Sequence, residues 1–438
     1  MIIAFLCLTG GLDLTSWTST KKVTAHYFGG GAGTMLTAYR NATHVAIRIH
    51  AKTDGGAEKP ISIGVGIDTS GSMDGARLLA VKRTLRAAAG LWKPADRVTL
   101  ATFGDEASVV TDQLQMDEAG QIRFYEAVAD IHVNGCTNMG AVFDALKGRP
   151  YDAVVVLTDG VVNVGDTSTD GLIGKAAQMG TMPITAFGYG ADHNQALLKR
   201  MGIKNRGAYI YVNSEDMLPE AVGDFIGGLR TELFKEATLT VRGAGSRVVC
   251  AELDPEADRV TYRVGTIIPN RDYWIVYEVP GDAEIEEIVL EAPGGLREVL
   301  GSVPISDCVD LQVQVLRCRV VKVIAAATAA LEQGLPLGPD VAALRAEIAA
   351  LPSYVLERPL ARHMLAQLAD IVERPAESAD MLARMSSNTA YLSSQRGVTS
   401  RVSDPGAPPP VFQTFSSPVQ RAASQQTQVS YSASDPTD

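Results

Sequence analysis

Residues 61–72 read Ile61-Ser62-Ile63-Gly64-Val65-Gly66-Ile67-Asp68-Thr69-Ser70-Gly71-Ser72. Seven residues of strand length, apolar on both faces, run straight into a cluster of oxygen-bearing side chains. A strand without polar alternation belongs inside a sheet covered on both sides, which in practice means a parallel sheet clothed by helices. Residues 98–103 (VTLATF), 153–157 (AVVVL) and 184–187 (ITAF) repeat the pattern. Between them the spacing becomes helical. In 76–91 (ARLLAVKRTLRAAAGL), Leu78, Val81, Leu85 and Ala88 or Ala89 share one stripe. Residues 124–131, 141–146, 194–201 and 215–233 also read as helices. Alternating strand and helix predicts a doubly wound, mostly parallel α/β domain over residues 60–232. Residues 107–114 follow Phe103 after only a short turn, so they should form an antiparallel edge hairpin.

Outward from this domain the patterns change. Residues 1–59 alternate in strand fashion, most clearly in 44–50 (HVAIRIH). Residues 233–312 hold five short candidate strands: 237–242, 247–253, 259–264, 272–279 and 287–291. Gly, Pro, Asp and Asn separate them. Both regions predict one β-sandwich into which the α/β domain is inserted. Residues 313–385 read as a helical hairpin or small bundle, with helices over 315–332, 339–351 and 358–372. Residues 386–438 are rich in Ser, Gln, Thr and Pro. They offer few apolar anchors and predict a mostly disordered tail.

Composition narrows the function classes. The chain has 438 residues, 46 % hydrophobic and 20 % charged, with a formal charge of -11. That sign disfavours nucleic acid and anionic membrane as partners. No run of about 18 apolar residues is present, so no membrane-spanning helix is expected. The apolar run 2–8 lacks a basic residue before it and predicts a first strand rather than a secretion signal. The five cysteines, at 7, 136, 250, 308 and 318, show no CxxC spacing, which points to free thiols, a cytoplasmic setting and no zinc site. No GxSxG elbow, HExxH pair or P-loop occurs, and His193 reads as the surface start of a helix. The Lys82, Arg83 and Arg86 cluster reads as the solvated face of the first helix. The expectation is a non-enzyme.

The chemistry gathers at strand ends, where ligands of open α/β sheets bind. Asp68, Ser70 and Ser72 follow the first buried strand. Thr137 lies in 135–138 (GCTN), ahead of a helix, and Asp159 ends the strand 153–157 in 157–160 (LTDG). All five carry oxygen, which a hard cation such as Mg²⁺, Mn²⁺ or Ca²⁺ prefers.

Taken together, DxSxS, a TN loop and a TDG turn at successive strand ends resemble the metal-ion-dependent adhesion site of the von Willebrand factor type A family. The resemblance implies direct ligation by Ser70, Ser72 and Thr137, with Asp68 and Asp159 acting through bound water. It also implies a vacant coordination position for a partner's carboxylate. Two carboxylates only balance a dication, so the ion would stay electrophilic towards an incoming Asp or Glu. Cys136 departs from the family's usual Gly. Residues 187–193 (FGYGADH), 226–229 (IGGL) and 391–397 (YLSSQRG) are similar to the subgroup found in eukaryotic RING- and U-box-associated proteins. The cross-brace of a RING or U-box is missing. The function expected is metal-dependent binding of a protein through its exposed Asp or Glu. The alternatives are a non-catalytic adaptor of a ubiquitin ligase or AAA+ machine, or a secreted adhesive protein.

Overall fold

The computed structural model describes residues 23–29, 32–53, 59–159, 161–190, 193–212, 214, 217–243, 245–249, 260–280, 283–306, 308–373, 379–394, 399–400, 411–412 and 416–433. The run 2–8, Cys7, Cys250 and Gly160 lie outside them. In chain order the elements begin with strands β1 (Val23–Gly29), β2 (Ala32–Arg40), β3 (His44–Thr53) and β4 (Ser62–Asp68). Next come α1 (Ala76–Ala88), β5 (Arg97–Phe103), β6 (Ala107–Gln115), α2 (Glu118–Ala129), α3 (Met139–Leu146), β7 (Ala153–Thr158), α4 (Thr169–Ala177), β8 (Ile184–Tyr189), α5 (Gln195–Lys204), β9 (Tyr209–Val212) and α6 (Met217–Arg230). Strands β10 (Phe234–Gly243), β11 (Arg247–Val248), β12 (Thr261–Ile267), β13 (Asp272–Glu278), β14 (Ile285–Ala292) and β15 (Leu296–Leu300) follow. Helices α7 (Val309–Glu332), α8 (Pro339–Ala349), α9 (Ser353–Leu356), α10 (Pro359–Glu373), α11 (Ala379–Ser394) and α12 (Pro418–Ala433) complete the chain.

The described residues fall into two compact units. One draws on 1–57, 232–322 and 350–364, the other on 58–231, 323–349 and 365–438.

The second unit is built on a six-stranded sheet in the order β6-β5-β4-β7-β8-β9. Only β6 runs antiparallel, beside β5 at the edge. The other five strands, β5-β4-β7-β8-β9, run parallel to one another. All six positions of β7 and of β8 are buried, as covering helices on both faces require. One core cluster joins Ile63, Val65 and Ile67 to Leu78 and Val81 of α1 and Ile226 of α6. The opposite cluster joins Val154 and Val156 to Phe143 of α3, Leu172 of α4 and Leu198 of α5. The chain moves from β4 outward to β5 and β6, then returns to the other side of β4 to place β7. The carboxyl end of β4 is therefore a topological switch point, where open sheets form their crevice.

The first unit holds two antiparallel sheets, ordered β1-β2-β3-β13-β11 and β12-β10-β14-β15. Strand β3 pairs with β13 along seven residues, so segments on either side of the α/β domain in sequence share a sheet. Leu36, Ile47 and Ile275 of one sheet share a core cluster with Leu239, Val241 and Leu290 of the other.

Several elements differ from expectation. Helix α4 and strands β9 and β15 lacked a clear periodic signal. Ser168 caps α4 by accepting from the Gly171 amide at 3.2 Å, a local bond rather than a hydrophobic pattern. The region 313–385 is helical as expected, with α8 assigned to the second unit and α9 to the first.

The disordered-tail expectation for 386–438 also fails for 386–394 and 416–433, which are helical in α11 and α12. Helix α12 buries Gln420, Ser424, Thr427 and Tyr431, a mostly polar face that composition does not reveal. Its backbone approaches α6 closely enough that a Cβ at position 227 would stand 2.9 Å from the Gln420 Cα. Polar partners replace apolar anchors. Gln420 donates to Asp224 Oδ2 at 3.1 Å, and Ser424 donates to the Glu220 carbonyl at 2.7 Å.

Candidate functional site

Asp68 is the last residue of β4 and is fully buried. One of its oxygens accepts the Ser70 amide at 2.9 Å, and the other accepts the Thr158 hydroxyl at 2.5 Å. The strand ends of β4 and β7 are thereby tied at their tips. The chain then turns through a 3₁₀ segment, Gly71–Met73, that leads into α1. This turn brings the Ser70 and Ser72 hydroxyls within 3.1 Å of each other. Ser72 in turn donates to Asp159 Oδ1 at 2.8 Å. Asp159 follows β7 directly and its side chain is fully buried. Four of the five donors therefore form one continuous hydrogen-bonded chain: Asp68, Ser70, Ser72 and Asp159.

Thr137 lies in the segment between α2 and α3. It is buried, on a loop held at both ends. Its amide donates to the Asn163 side chain at 2.8 Å, while its carbonyl accepts from the amides of Asn163 and Val164. Two residues earlier, Gly135 has φ 73° and would bring a Cβ to 2.3 Å from Asp105 Oδ2, so glycine is required there. That close approach lets Asp105 accept the Cys136 amide at 3.0 Å. The Gly135 carbonyl meanwhile accepts the Gly71 amide at 3.1 Å, coupling the two donor loops. Cys136 itself is exposed.

Burial pushes the Asp68 carboxyl above the ordinary aspartate range. The bonds from Thr158 and Ser70 pull it back, and the nearby charge of Asp159 adds a further upward push. Two carboxylates in one dry crevice favour a cation between them. The structure already supplies one that the sequence reading missed. Arg77, in the first turn of α1, forms an ion pair with Asp159 Oδ2 and also donates to the Ser72 carbonyl at 3.3 Å. Its only sequence signal is its place five residues after Ser72. Thr158, Asn163 and Asp105 were also missed as supports.

Two other expectations are corrected. His193 is buried rather than on the surface. Nδ1 lies 2.7 Å from the Gly190 carbonyl and Nε2 lies 2.7 Å from the Tyr209 hydroxyl, so the ring is a structural bridge behind β8. Lys82, Arg83 and Arg86 are half-buried, not solvated. Lys82 donates to the Ala129 carbonyl at 2.8 Å, and the Arg83 guanidinium stacks 4.3 Å from the Tyr431 ring centre. Among the described residues, no three His, Cys, Asp or Glu side chains are grouped to hold a metal. Any cation here would have to be held by the mixed hydroxyl and carboxylate set.

Comparison with known proteins agrees with this architecture. Residues 63–224 match the von Willebrand factor type A domain. The inter-alpha-trypsin inhibitor heavy chain H4 of Sus scrofa is 27 % identical over 173 residues, 35 % of this chain and 18 % of that one. An uncharacterized protein of a Synechocystis strain is 24 % identical over 176 residues, covering 38 % of this chain and 41 % of its own. The chain thus spans less than half the length of either relative. Among solved structures, a von Willebrand factor type A protein from Catenulispora acidiphila superposes with a TM-score of 0.52 at 17 % identity. That match covers 89 % of this chain and 92 % of the other. The ArnB paralog VWA2 from Sulfolobus acidocaldarius gives 0.51 at 13 % identity, over 85 % and 96 %. At such identities the likeness is one of fold. With the sheet order, the switch-point crevice and the sequence match in agreement, residues 63–224 of this chain are a von Willebrand factor type A domain.

Proposed function

We propose that this protein binds a protein partner through a divalent cation held by Asp68, Ser70, Ser72, Thr137 and Asp159, the vacant position taking an Asp or Glu side chain of the partner. The von Willebrand factor type A domain generally serves protein–protein interaction or adhesion. One observation carries the finer reading. Asp68 and Asp159, 91 residues apart in sequence, are linked in a single crevice through the Ser70 amide and the Ser70 and Ser72 hydroxyls. The donor chemistry fits a hard cation, since every donor is an oxygen. Arg77 already seated on Asp159 supports the view that this place attracts positive charge.

In this reading the hydroxyls of Ser70, Ser72 and Thr137 hold the ion, and the two carboxylates anchor it. Thr158 and Asn163 keep Asp68 and the Thr137 loop in place. The bound cation would supply a Lewis-acid position for an incoming carboxylate. Mg²⁺ is the first choice, with Mn²⁺ or Ca²⁺ able to substitute. The role is recognition rather than catalysis.

The formal charge of -11 supports a protein partner over nucleic acid. Cys136, Cys308 and Cys318 are free thiols, which supports a reducing, cytoplasmic setting. No described helix is long and apolar enough to cross a membrane. The resemblance to RING- and U-box-associated proteins rests on the three quoted stretches of sequence.

Selection from a displayed random-peptide library in Mn²⁺ tests the proposal. Enriched peptides should share an Asp or Glu, and their capture should vanish in EDTA and with Asp68→Ala. Peptides without an acidic residue, or capture that persists in EDTA, would refute it.

A further inference from the structure

We propose that Arg77 is the resident counter-cation of the site, holding Asp159 until a divalent ion displaces it, and so sets how tightly the domain takes up metal. The inference rests on the cation-site reading above. Its geometry is that of a built position rather than a surface contact. The Asp159 side chain is fully buried, whereas that of Arg77 remains one-third exposed and free to withdraw outward. Ser72 Oγ and the guanidinium approach the two different oxygens of the carboxylate, so both are engaged before any metal arrives. The same guanidinium group donates to the Ser72 carbonyl, which belongs to a donor residue. At the carboxyl end of β8, Gly190 leaves the room: a Cβ there would stand 3.3 Å from Arg77 Nη2.

Two consequences follow from charge alone. Without metal, two carboxylates would share a dry crevice, and the guanidinium neutralises one of them. With metal, a +2 ion and a +1 guanidinium compete for Asp159 and repel each other at short range. Arg77 therefore stabilises the metal-free state and opposes the loaded one. A domain of this kind takes up metal reversibly, in response to its concentration, instead of holding it permanently. The charge is the active element, so Lys at position 77 should retain most of the effect, although it lacks the planar fork.

The experiment is calorimetric titration of the full chain with Mg²⁺ and with Mn²⁺, for the wild type, Arg77→Gln, Arg77→Lys and Asp68→Ala. The metal-free melting temperature of each is recorded alongside. Because Arg77 is partly exposed, its effect is discounted for solvent screening. Arg77→Gln should bind roughly three- to tenfold tighter than wild type and melt a few degrees lower without metal. Arg77→Lys should lie close to wild type in both. Equal or weaker binding by Arg77→Gln, with wild type binding and Asp68→Ala silent, would overturn this proposal and leave the cation site standing. Silence of wild type and Arg77→Gln alike would overturn both.

Discussion

Asp96→Ala should be the most damaging single change to the α/β domain outside its apolar core. Asp96 is fully buried just before β5 and works as a three-way clasp. Oδ1 accepts the Ile61 amide at 3.0 Å, at the entry to β4. Oδ2 accepts the Lys93 amide at 2.7 Å, closing the turn into β5. The Arg230 guanidinium, at the end of α6, donates to both oxygens, at 3.2 and 2.7 Å. Arg230 is 5 % exposed, so its charge has little water to fall back on.

Removing one partner of a buried pair costs about 3–5 kcal/mol, and each stranded amide adds about 1–3 kcal/mol if water cannot reach it. These terms overlap, so a loss of about 4–6 kcal/mol is expected. That is a large part of the roughly 5–15 kcal/mol of a typical domain. At about 2–4 °C per kcal/mol, the melting transition should fall by roughly 10–20 °C. Asp96→Asn should lose less, and the double change Asp96→Ala with Arg230→Met should recover part of the loss by removing the orphaned charge. Urea unfolding of the full chain reads the energies. Hydrogen exchange of the β4 and β5 peptides reads the location, since the chain has two units. A loss below about 1 kcal/mol would instead mean that Arg230 is hydrated in solution and that the clasp contributes little.

Two further outcomes are expected. In the other unit, burial raises Glu298 from the ordinary glutamate value of 4.5 to about 8, and the Thr34 hydroxyl bonds one of its oxygens. A folded-state value above the unfolded one means that stability is fullest below pH 4.5, declines as pH rises, and is lost once pH passes about 8. The decline should total on the order of 3–5 kcal/mol and vanish in Glu298→Gln; a flat profile in the wild type would contradict it. At the α6–α12 contact, Gly227→Leu should expel α12, because its new Cβ would meet the Gln420 backbone at 2.9 Å. Hydrogen exchange over 416–433 should then rise sharply while β4 and β7 stay protected, and unchanged protection of α12 would count against that packing.

The sequence exposes those parts of the fold in which burial writes itself into composition. Strands β4, β5, β7 and β8 are apolar on both faces, so their parallel sheet is legible, and so are the oxygen-bearing residues that end β4 and follow β7. What stays hidden depends on polar or local interactions. The buried face of α12 is Gln420, Ser424, Thr427 and Tyr431, which reads as solvent-loving until Asp224 and the glycines of α6 are seen beneath it. His193 reads as surface for the same reason: its burial depends on two hydrogen bonds, to Gly190 and Tyr209, that no periodicity announces. Arg77 is the instructive case at the site. A lone arginine in the first turn of a helix carries no pattern, yet three-dimensional placement puts it on the buried Asp159 carboxylate.

Whether the crevice holds a divalent ion is decided by titrating the purified chain with Mg²⁺ and Mn²⁺ while its melting temperature is followed. Saturable binding of one ion per chain and a rise in melting temperature are expected. At about a hundredfold excess over the dissociation constant the stabilisation should be about 2.7 kcal/mol. Asp68→Asn should abolish the rise while leaving the metal-free protein folded. No heat and no shift at millimolar metal, or an equal shift in Asp68→Asn, would contradict divalent-ion binding in the crevice.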